Sequence, residues 1–270
     1  MERYLVKILL ILCLSVLSVF GEVYYSKIEP YEVRDISSNV AGEVVFTDEN
    51  MIGKKLTNSA YIKIDDILDK NELKSTNKKI IYLENILVLN KQTIDELEAI
   101  LKKKKVNYDR IRNLTIKSQV DKDREFYDLA SSQISLINTK KEIDNLKIQI
   151  SDLYLRKKQL EKKIVDKNIK AKGFVLYSLF VKAGKVVTPS MLLAKVADTS
   201  KAILTIYVDA KELEGIKNKV IYLDGIKTKY KVSRVLNIAD SQNISKYMVQ
   251  IVINPPKVFS KLVKVELRDE

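Results

Sequence analysis

The sequence predicts an α+β protein in which an antiparallel α-helical coiled-coil hairpin is inserted into one β unit and a β-rich tail follows. Only 7 Gly and 4 Pro occur in 270 residues, and none lies between Lys54 and Lys172. Within that block, apolar residues recur every seven positions, and the segments on either side of it are two copies of one motif. A long stretch without either chain breaker favours helix over many short strands.

The first 21 residues have the pattern of a secretory signal peptide. Arg3 and Lys7 precede a mostly apolar stretch, and Val19 and Gly21 are small enough for positions −3 and −1 of a cleavage site. The apolar stretch is shorter than the roughly 20 residues that span a bilayer. We expect export and cleavage near Gly21, with retention as an uncleaved membrane anchor as the alternative.

The composition removes several classes of function. The chain has no His, and its only Cys is Cys13. Ser–His–Asp and Cys–His catalysis, His-ligated metals and cysteine metal clusters are therefore unavailable. We predict no enzymatic activity, no catalytic residue, no cofactor and no metal site. For an exported chain, the formal charge of +13 suggests an acidic protein or an anionic membrane surface as partner, and no nucleic acid.

Residues 66–167 carry heptads that are typical of a coiled-coil seam. The a positions of the first arm are Leu73, Ile80, Leu87, Ile94, Leu101, Tyr108 and Thr115, and its d positions are Leu83, Asn90, Leu97, Lys104, Ile111 and Ser118. The second arm has Leu129, Leu136, Ile143, Ile150, Lys157 and Ile164 at a, and Ser132, Thr139, Leu146, Leu153 and Leu160 at d. Polar seam residues such as Asn90 and Lys104 cost stability but help to fix the register.

The two arms are predicted to meet at a break near residues 119–123. Asp121 is a good helix N-cap there, although the periodicity alone also fits one continuous helix of about 100 residues. In the hairpin, each arm has about 45–50 residues and is about 70–75 Å long. A single rod would hold the two flanking segments about 150 Å apart, whereas a hairpin brings them together.

The flanking segments form an internal repeat. Residues 40–46 match residues 171–177, and residues 53–59 match residues 184–190 with the pattern Gly-Lys-x-x-Thr-x-Ser. The turn glycines of the two copies are Gly42 and Gly53 in the first and Gly173 and Gly184 in the second. Each copy reads as a short β-meander that is too small to bury a core alone, so we expect the two copies to pack together.

The tail, residues 201–270, is predicted to be rich in strands. Apolar segments at 203–208, 220–223, 229–235, 247–253 and 262–267 read as strands, and residues 210–217 read as a short helix.

This order of segments resembles the periplasmic adaptor, or membrane fusion (HlyD-like), proteins of tripartite efflux pumps and type I secretion systems. The resemblance implies a lipoyl-like (barrel-sandwich) domain in two halves, residues 22–65 and 168–200, with the hairpin at 66–167 and a small β-barrel at 201–270. The hairpin takes the place of the loop that bears the modified lysine in carrier enzymes, so no swinging-arm chemistry is implied.

A second resemblance lies near the predicted tip. Many such adaptors that dock on a TolC-type outer-membrane channel have an Arg, a Leu four residues later and a Ser seven residues after that. Arg110 and Leu114 match this pattern, and Asp121 occupies the Ser position. The resemblance implies that Arg110, Leu114 and Asp121 contact the channel, with the substitution at Asp121 leaving that contact altered.

The function that the resemblance implies is that of an adaptor without enzymatic activity. It would be located in the periplasm beside the inner membrane and would link an inner-membrane transporter of the RND or ABC type to a TolC-type channel. By the same resemblance it would form a homo-oligomeric ring, commonly a hexamer. A structural tether or spacer of the cell envelope, without a transport role, is the alternative.

Overall fold

The computed structural model describes residues 22–239 and 245–269, so the predicted signal peptide and its cleavage near Gly21 lie outside the described residues. The helices are α1 (Ile67–Ile111) and α2 (Gln119–Asp166). The strands before the helices are β1 (Glu22–Lys27), β2 (Glu29–Ser37), β3 (Gly42–Thr47) and β4 (Ile62–Ile64). Those after them are β5 (Asn168–Ile169), β6 (Val175–Leu179), β7 (Val186–Val187), β8 (Leu192–Asp209), β9 (Val220–Leu223), β10 (Ile226–Lys227), β11 (Val232–Ala239), β12 (Lys246–Ile253) and β13 (Leu262–Arg268).

The predicted helical hairpin is confirmed. Helices α1 and α2 have 45 and 48 residues and pack along their lengths in antiparallel orientation. All the predicted a and d positions that lie within the helices are buried or half-buried. Thr115 and Ser118 are exposed because α1 ends before them, so the seam of the first arm is shorter than the heptads predicted.

Two polar seam residues differ in how they are satisfied. The side-chain nitrogen Nδ2 of Asn90 is buried and has no hydrogen-bond partner among the described residues. Lys104 instead donates to the carboxylate of Asp128 on α2 at 2.7 Å. A buried donor without a partner costs the free energy of its lost hydration, whereas a paired one does not.

Replacing Asn90 with Leu is therefore expected to raise the free energy of unfolding by about 1 kcal/mol, because it removes an unsatisfied donor and adds apolar burial. Urea unfolding followed by helical circular dichroism measures this change. Lys104→Leu is the matched control, since it removes a satisfied group, and it should give the smaller gain. A loss of stability in Asn90→Leu would contradict this explanation.

A buried ion cluster ties the base of the hairpin together. The carboxylate of Asp69, which is 4% exposed, accepts from Lys163 at 2.8 Å and from Lys167. The Lys167 ammonium also donates to the backbone carbonyl of Asp65 at 2.6 Å. The cluster thus joins the start of α1 to the end of α2 next to strands β4 and β5 and fixes the direction in which the hairpin leaves the β structure.

The two repeat copies meet in one β unit. The Gly53 N–H donates to the Leu176 carbonyl at 2.8 Å, and the Leu176 N–H donates to the Lys54 carbonyl at 3.1 Å. Gly184 occupies the position of Gly53 in the second copy, and its N–H donates to the carbonyl of Val44 in the first copy at 2.8 Å. One sheet, in the order β5-β4-β3-β7, contains strands from both sides of the hairpin, and its apolar side chains share one core. The hairpin is therefore an insertion within a single β unit.

Two different constraints, backbone conformation and steric contact, favour glycine at the turn positions of this unit. Gly53, Gly173 and Gly184 have φ values of +78°, +93° and +87°, in the left-handed region that favours glycine. At Gly42 a Cβ atom would lie 2.6 Å from Cγ2 of the buried Ile64, which leaves no room for a side chain.

A second β unit contains strands β9 to β13. It also contains a strand that lies outside the predicted boundaries of this unit. Strand β1 pairs with β13, with Tyr24 opposite Val265, in a sheet of order β1-β13-β9-β10. Residues 22–27, which the sequence assigned to the first unit, therefore lie in the second. The 18-residue strand β8 pairs with β2 and β6 in its first part and with β12 in its second, so it connects the two units.

Across residues 22–239 and 245–269, no helix combines the length and the apolar character needed to cross a bilayer.

Candidate docking site at the hairpin tip

The tip is a short loop, residues 112–118, between α1 and α2. It closes tightly, because the N–H of Arg112 still donates to the Tyr108 carbonyl at 2.9 Å and the N–H of Leu114 donates to Ile111 at 3.0 Å. The predicted break at residues 119–123 is therefore wrong by several residues, since α2 already begins at Gln119.

Ser118, and not Asp121, caps the second helix. The Ser118 hydroxyl accepts from the Asp121 backbone N–H at 3.2 Å and donates to the Asp121 carboxylate at 2.8 Å. The prediction that Asp121 is the N-cap is wrong because a serine three residues earlier makes the capping bond, which leaves Asp121 in the first turn. The hydrogen bond from Ser118 is the main cause of the lowered pKa of Asp121, and Lys117 and Arg124 act in the same direction.

An aromatic contact joins the two helices next to the tip loop. The rings of Tyr108 on α1 and Phe126 on α2 have centroids 5.9 Å apart, and Phe126 also packs edge-on against Tyr127. The ion pair between Lys104 and Asp128 lies one turn further down. These contacts hold the two helix ends together, so the loop is presented on a fixed base.

Apolar side chains project from this end of the hairpin. Leu114 is 41% exposed, Ile116 is 89% exposed and Val120 is 73% exposed. Apolar groups grouped at an exposed end, rather than scattered singly, are typical of a surface that binds a partner.

The residues around these apolar groups carry a net positive charge. Nine Lys or Arg and three Asp lie between Lys102 and Arg124. Arg112 is 3.6 Å from Asp109, but Arg110 has neither an ion pair nor a side-chain hydrogen bond within the part of the chain that the structure describes. The tip therefore offers an unpaired guanidinium beside apolar side chains, an arrangement that suits a protein partner with acidic and apolar groups.

The structure locates the three predicted tip residues in neighbouring elements at one end of the molecule. Arg110 is in the last turn of α1, Leu114 is in the loop and Asp121 is in the first turn of α2. Sequence reasoning missed Ile116 and Val120. The sequence does distinguish them, because apolar residues between the two heptad arms cannot pack in the seam between the helices.

A hairpin of two long helices inserted between the halves of a β unit, with a second β unit beyond it, defines the membrane fusion protein class of fold. Comparison with solved structures confirms the predicted resemblance to that class. MacA from Actinobacillus actinomycetemcomitans is similar over 92% of this chain and 79% of its own, with a TM-score of 0.66 and 17% identity. The membrane fusion protein Spr0693 from Streptococcus pneumoniae R6 is similar over 93% of this chain and 100% of its own, with a TM-score of 0.61 and 9% identity.

A third similar structure also contains an α-hairpin domain. It is a MacA-MexA chimeric protein that contains the α-hairpin domain of Pseudomonas aeruginosa MexA, and it matches 93% of this chain and 82% of its own, with a TM-score of 0.54 and 13% identity. At these identities the likeness shows the fold. No protein-family model and no curated protein matches the sequence.

Proposed function

We propose that this protein is a periplasmic adaptor that links an inner-membrane transporter to a TolC-type outer-membrane channel for efflux or export. The observation that carries the proposal is the tip itself. A rigid helical hairpin about 70 Å long ends in exposed Leu114 and Ile116 beside the unpaired Arg110. The fold shared with membrane fusion proteins supports the same function.

The tip acts in this proposal as the recognition element. Leu114 and Ile116 would lose water when they enter a groove of the channel, and Arg110 would pair there with an acidic group. Asp121 is engaged with Ser118 within its own chain, so its role is to hold the loop in shape as well as to contact the channel. The hairpin then sets the distance between the channel and the transporter.

The β units would form the end that faces the inner membrane. The first unit, with its reciprocally bonded halves, is the counterpart of the lipoyl-like domain, and the second is the counterpart of the small β-barrel. Export through the predicted signal peptide would bring the chain to the periplasm, beside the inner membrane. Transporters of the RND and ABC types both suit this proposal, and several copies would form a ring, with six as the expected number.

Photocrosslinking from single sites tests the docking step. A photoreactive amino acid at Ile116 should capture the outer-membrane channel in intact cells. The same amino acid at Ala99, an exposed position of α1 about 18 Å from the end of that helix at the tip, should not capture it. Capture from both sites, or from neither, would contradict docking through the tip.

A further inference from the structure

One corner of the second β unit is rich in lysine. Six Lys or Arg and two acids lie between Glu214 and Ile238. Three of the lysines are in or just after β10, the outermost strand of the sheet β1-β13-β9-β10, and two are in the turn before β9. That turn contacts strand β11, so all five lysines are close together. We call them the lysine edge: Lys217, Lys219, Lys227, Lys229 and Lys231.

The lysines that follow the turn of the β9–β10 hairpin face away from the core. Lys227, Lys229 and Lys231 are exposed, and they alternate along the chain with half-buried residues. Of those half-buried residues, Tyr230 and Val232 pack against the core of the second unit. Because alternate residues of an extended segment point in opposite directions, the three lysines point outward together. A flat surface can therefore approach all three ammonium groups from one side.

The charge of the lysine edge is largely unneutralised. None of its five lysines has an ion pair or a side-chain hydrogen bond within residues 22–239 and 245–269. The neighbouring acids are already paired, since the Asp224 carboxylate is 3.7 Å from the Lys261 ammonium and the Glu266 carboxylate is 2.8 Å from the Lys264 ammonium. Glu214, just before the turn, is exposed and offsets one of the five charges. The lysine edge thus keeps a net positive charge for a partner outside the chain.

The lysine edge also lies close to the point where the predicted export segment joins the structure. In the sheet, Glu22 pairs with Leu267, and Leu267 pairs with Ile221. The N–H of Thr228, between two of the lysines, donates to the Ile221 carbonyl at 2.9 Å. Three strand spacings therefore separate Glu22 from Thr228, a distance of about 14 Å. The predicted signal peptide ends directly before Glu22, so the exported chain leaves the inner membrane beside the lysine edge.

The basic residues near the hairpin tip are arranged differently. Lys102, Lys103 and Lys105 are exposed, but they are close neighbours in one helix. Successive residues of a helix are about 100° apart around its axis, so these lysines point in different directions. A flat surface can meet only some of them at once, whereas it can meet the lysine edge as a whole.

We propose that the lysine edge binds the anionic phospholipid headgroups of the inner membrane. Each lysine held near an anionic bilayer strengthens binding about fivefold. The lipid surface is favoured as the occupant because the outward lysines suit a plane and because the chain leaves the membrane beside them. The inference rests on the proposed function for the location of the chain. It deepens that function by assigning the surface that holds the β units at the membrane.

Binding to vesicles tests this proposal. The exported chain is mixed with vesicles of phosphatidylglycerol and phosphatidylethanolamine in equal parts, and the bound fraction is measured by flotation. The wild type should bind, and added salt should weaken the binding. Lys227→Gln/Lys229→Gln/Lys231→Gln should bind at least tenfold more weakly, because three of the five charges are lost. Vesicles of phosphatidylcholine, which are neutral, should bind neither protein.

The matched control removes three lysines from the hairpin and leaves the lysine edge unchanged. Lys102→Gln/Lys103→Gln/Lys105→Gln makes the same change of charge and should alter vesicle binding little. Equal losses from the two triple variants, or a wild-type chain that does not bind the anionic vesicles, would overturn the proposal.

Energy transfer tests the orientation of the bound protein. In the Cys13→Ser background, Asn218→Cys carries a donor dye between two lysines of the lysine edge, and Ala99→Cys carries it on the hairpin. With an acceptor dye on the lipid headgroups, transfer should be stronger from position 218. Equal or stronger transfer from position 99 would show binding through the hairpin and overturn the proposal.

Two further results separate a lipid partner from a protein partner and from the adaptor function itself. A triple variant of the lysine edge that binds vesicles normally but no longer copurifies with the transporter would assign the edge to an acidic protein face and overturn the proposal. The same variant should still capture the channel from a photoreactive amino acid at Ile116. A failure of lipid binding is therefore distinguishable from a failure of docking at the tip.

Discussion

Leu114→Asp is expected to abolish the proposed adaptor function, which is efflux or export through the channel, while leaving the fold of this protein intact. Leu114 lies in the tip loop, outside the seam, and is 41% exposed, so a carboxylate there removes no core contact. In a docked complex the same carboxylate would either be buried in an apolar contact, at a cost of several kcal/mol, or pair with Arg110 and withdraw that guanidinium from the channel, and both outcomes weaken docking. Export of the transported substrate by cells that carry only the variant measures the loss, and circular dichroism verifies the helices.

Two further variants sharpen this test. Leu68→Asp makes the same change at a leucine that is 79% exposed, but at the opposite end of the hairpin, and it should preserve capture of the channel from Ile116. Arg110→Glu should also prevent docking, because it reverses the unpaired charge at the tip. Normal export and normal capture of the channel by both Leu114→Asp and Arg110→Glu would contradict the assignment of the tip.

The second large effect is expected at the base of the hairpin. Asp69→Ala should lower the free energy of unfolding by about 3 kcal/mol, because it leaves the buried ammonium of Lys167 without its carboxylate. Urea unfolding measures this loss. Asp144→Ala is the matched control, since it removes an exposed carboxylate that pairs with Lys147, and it should change stability little. Equal losses from the two variants would contradict a special role for the buried cluster.

The same cluster predicts how stability depends on pH. Burial alone would raise the pKa of the Asp69 carboxyl, but hydrogen bonds from Lys163 and Lys167 outweigh burial and hold the pKa below its usual value of 3.8. A carboxyl whose pKa is lowered on folding stabilises the protein above its unfolded pKa and loses that contribution as the pH falls through the folded value. The stability difference between the wild type and Asp69→Ala should therefore be constant near neutral pH and shrink below about pH 4. A difference that persists in acid would show that the ion pair is not its source.

The hairpin could be predicted because its signal is local and repeated. Heptads such as Leu129, Leu136 and Ile143 need only their own helix and one partner, and the absence of Gly and Pro removed the alternatives. The junction at the tip was harder to predict, because Ser118 and Asp121 are both good helix caps. Only the hydrogen bond between them shows that the serine begins the helix.

The other differences from prediction arise where residues distant in sequence decide the outcome. Its position in the sequence predicts that strand β1 belongs to the first β unit, yet β1 pairs with β13, which lies more than 200 residues later in the chain. No local pattern in residues 22–27 distinguishes these two partners. Likewise, outward-facing apolar residues such as Ile148 and Leu155 are visible in the sequence, but which residues of α1 lie at the same level follows only from the contacts across the seam.

Affinity purification of the tagged protein from crosslinked, detergent-solubilised cell envelopes tests the central claim most directly. The adaptor function predicts that an inner-membrane transporter and an outer-membrane channel are recovered together with the wild type. It further predicts that Leu114→Asp retains the transporter and loses the channel. Recovery of the wild-type chain without either membrane protein would contradict the adaptor function and favour a tether of the envelope.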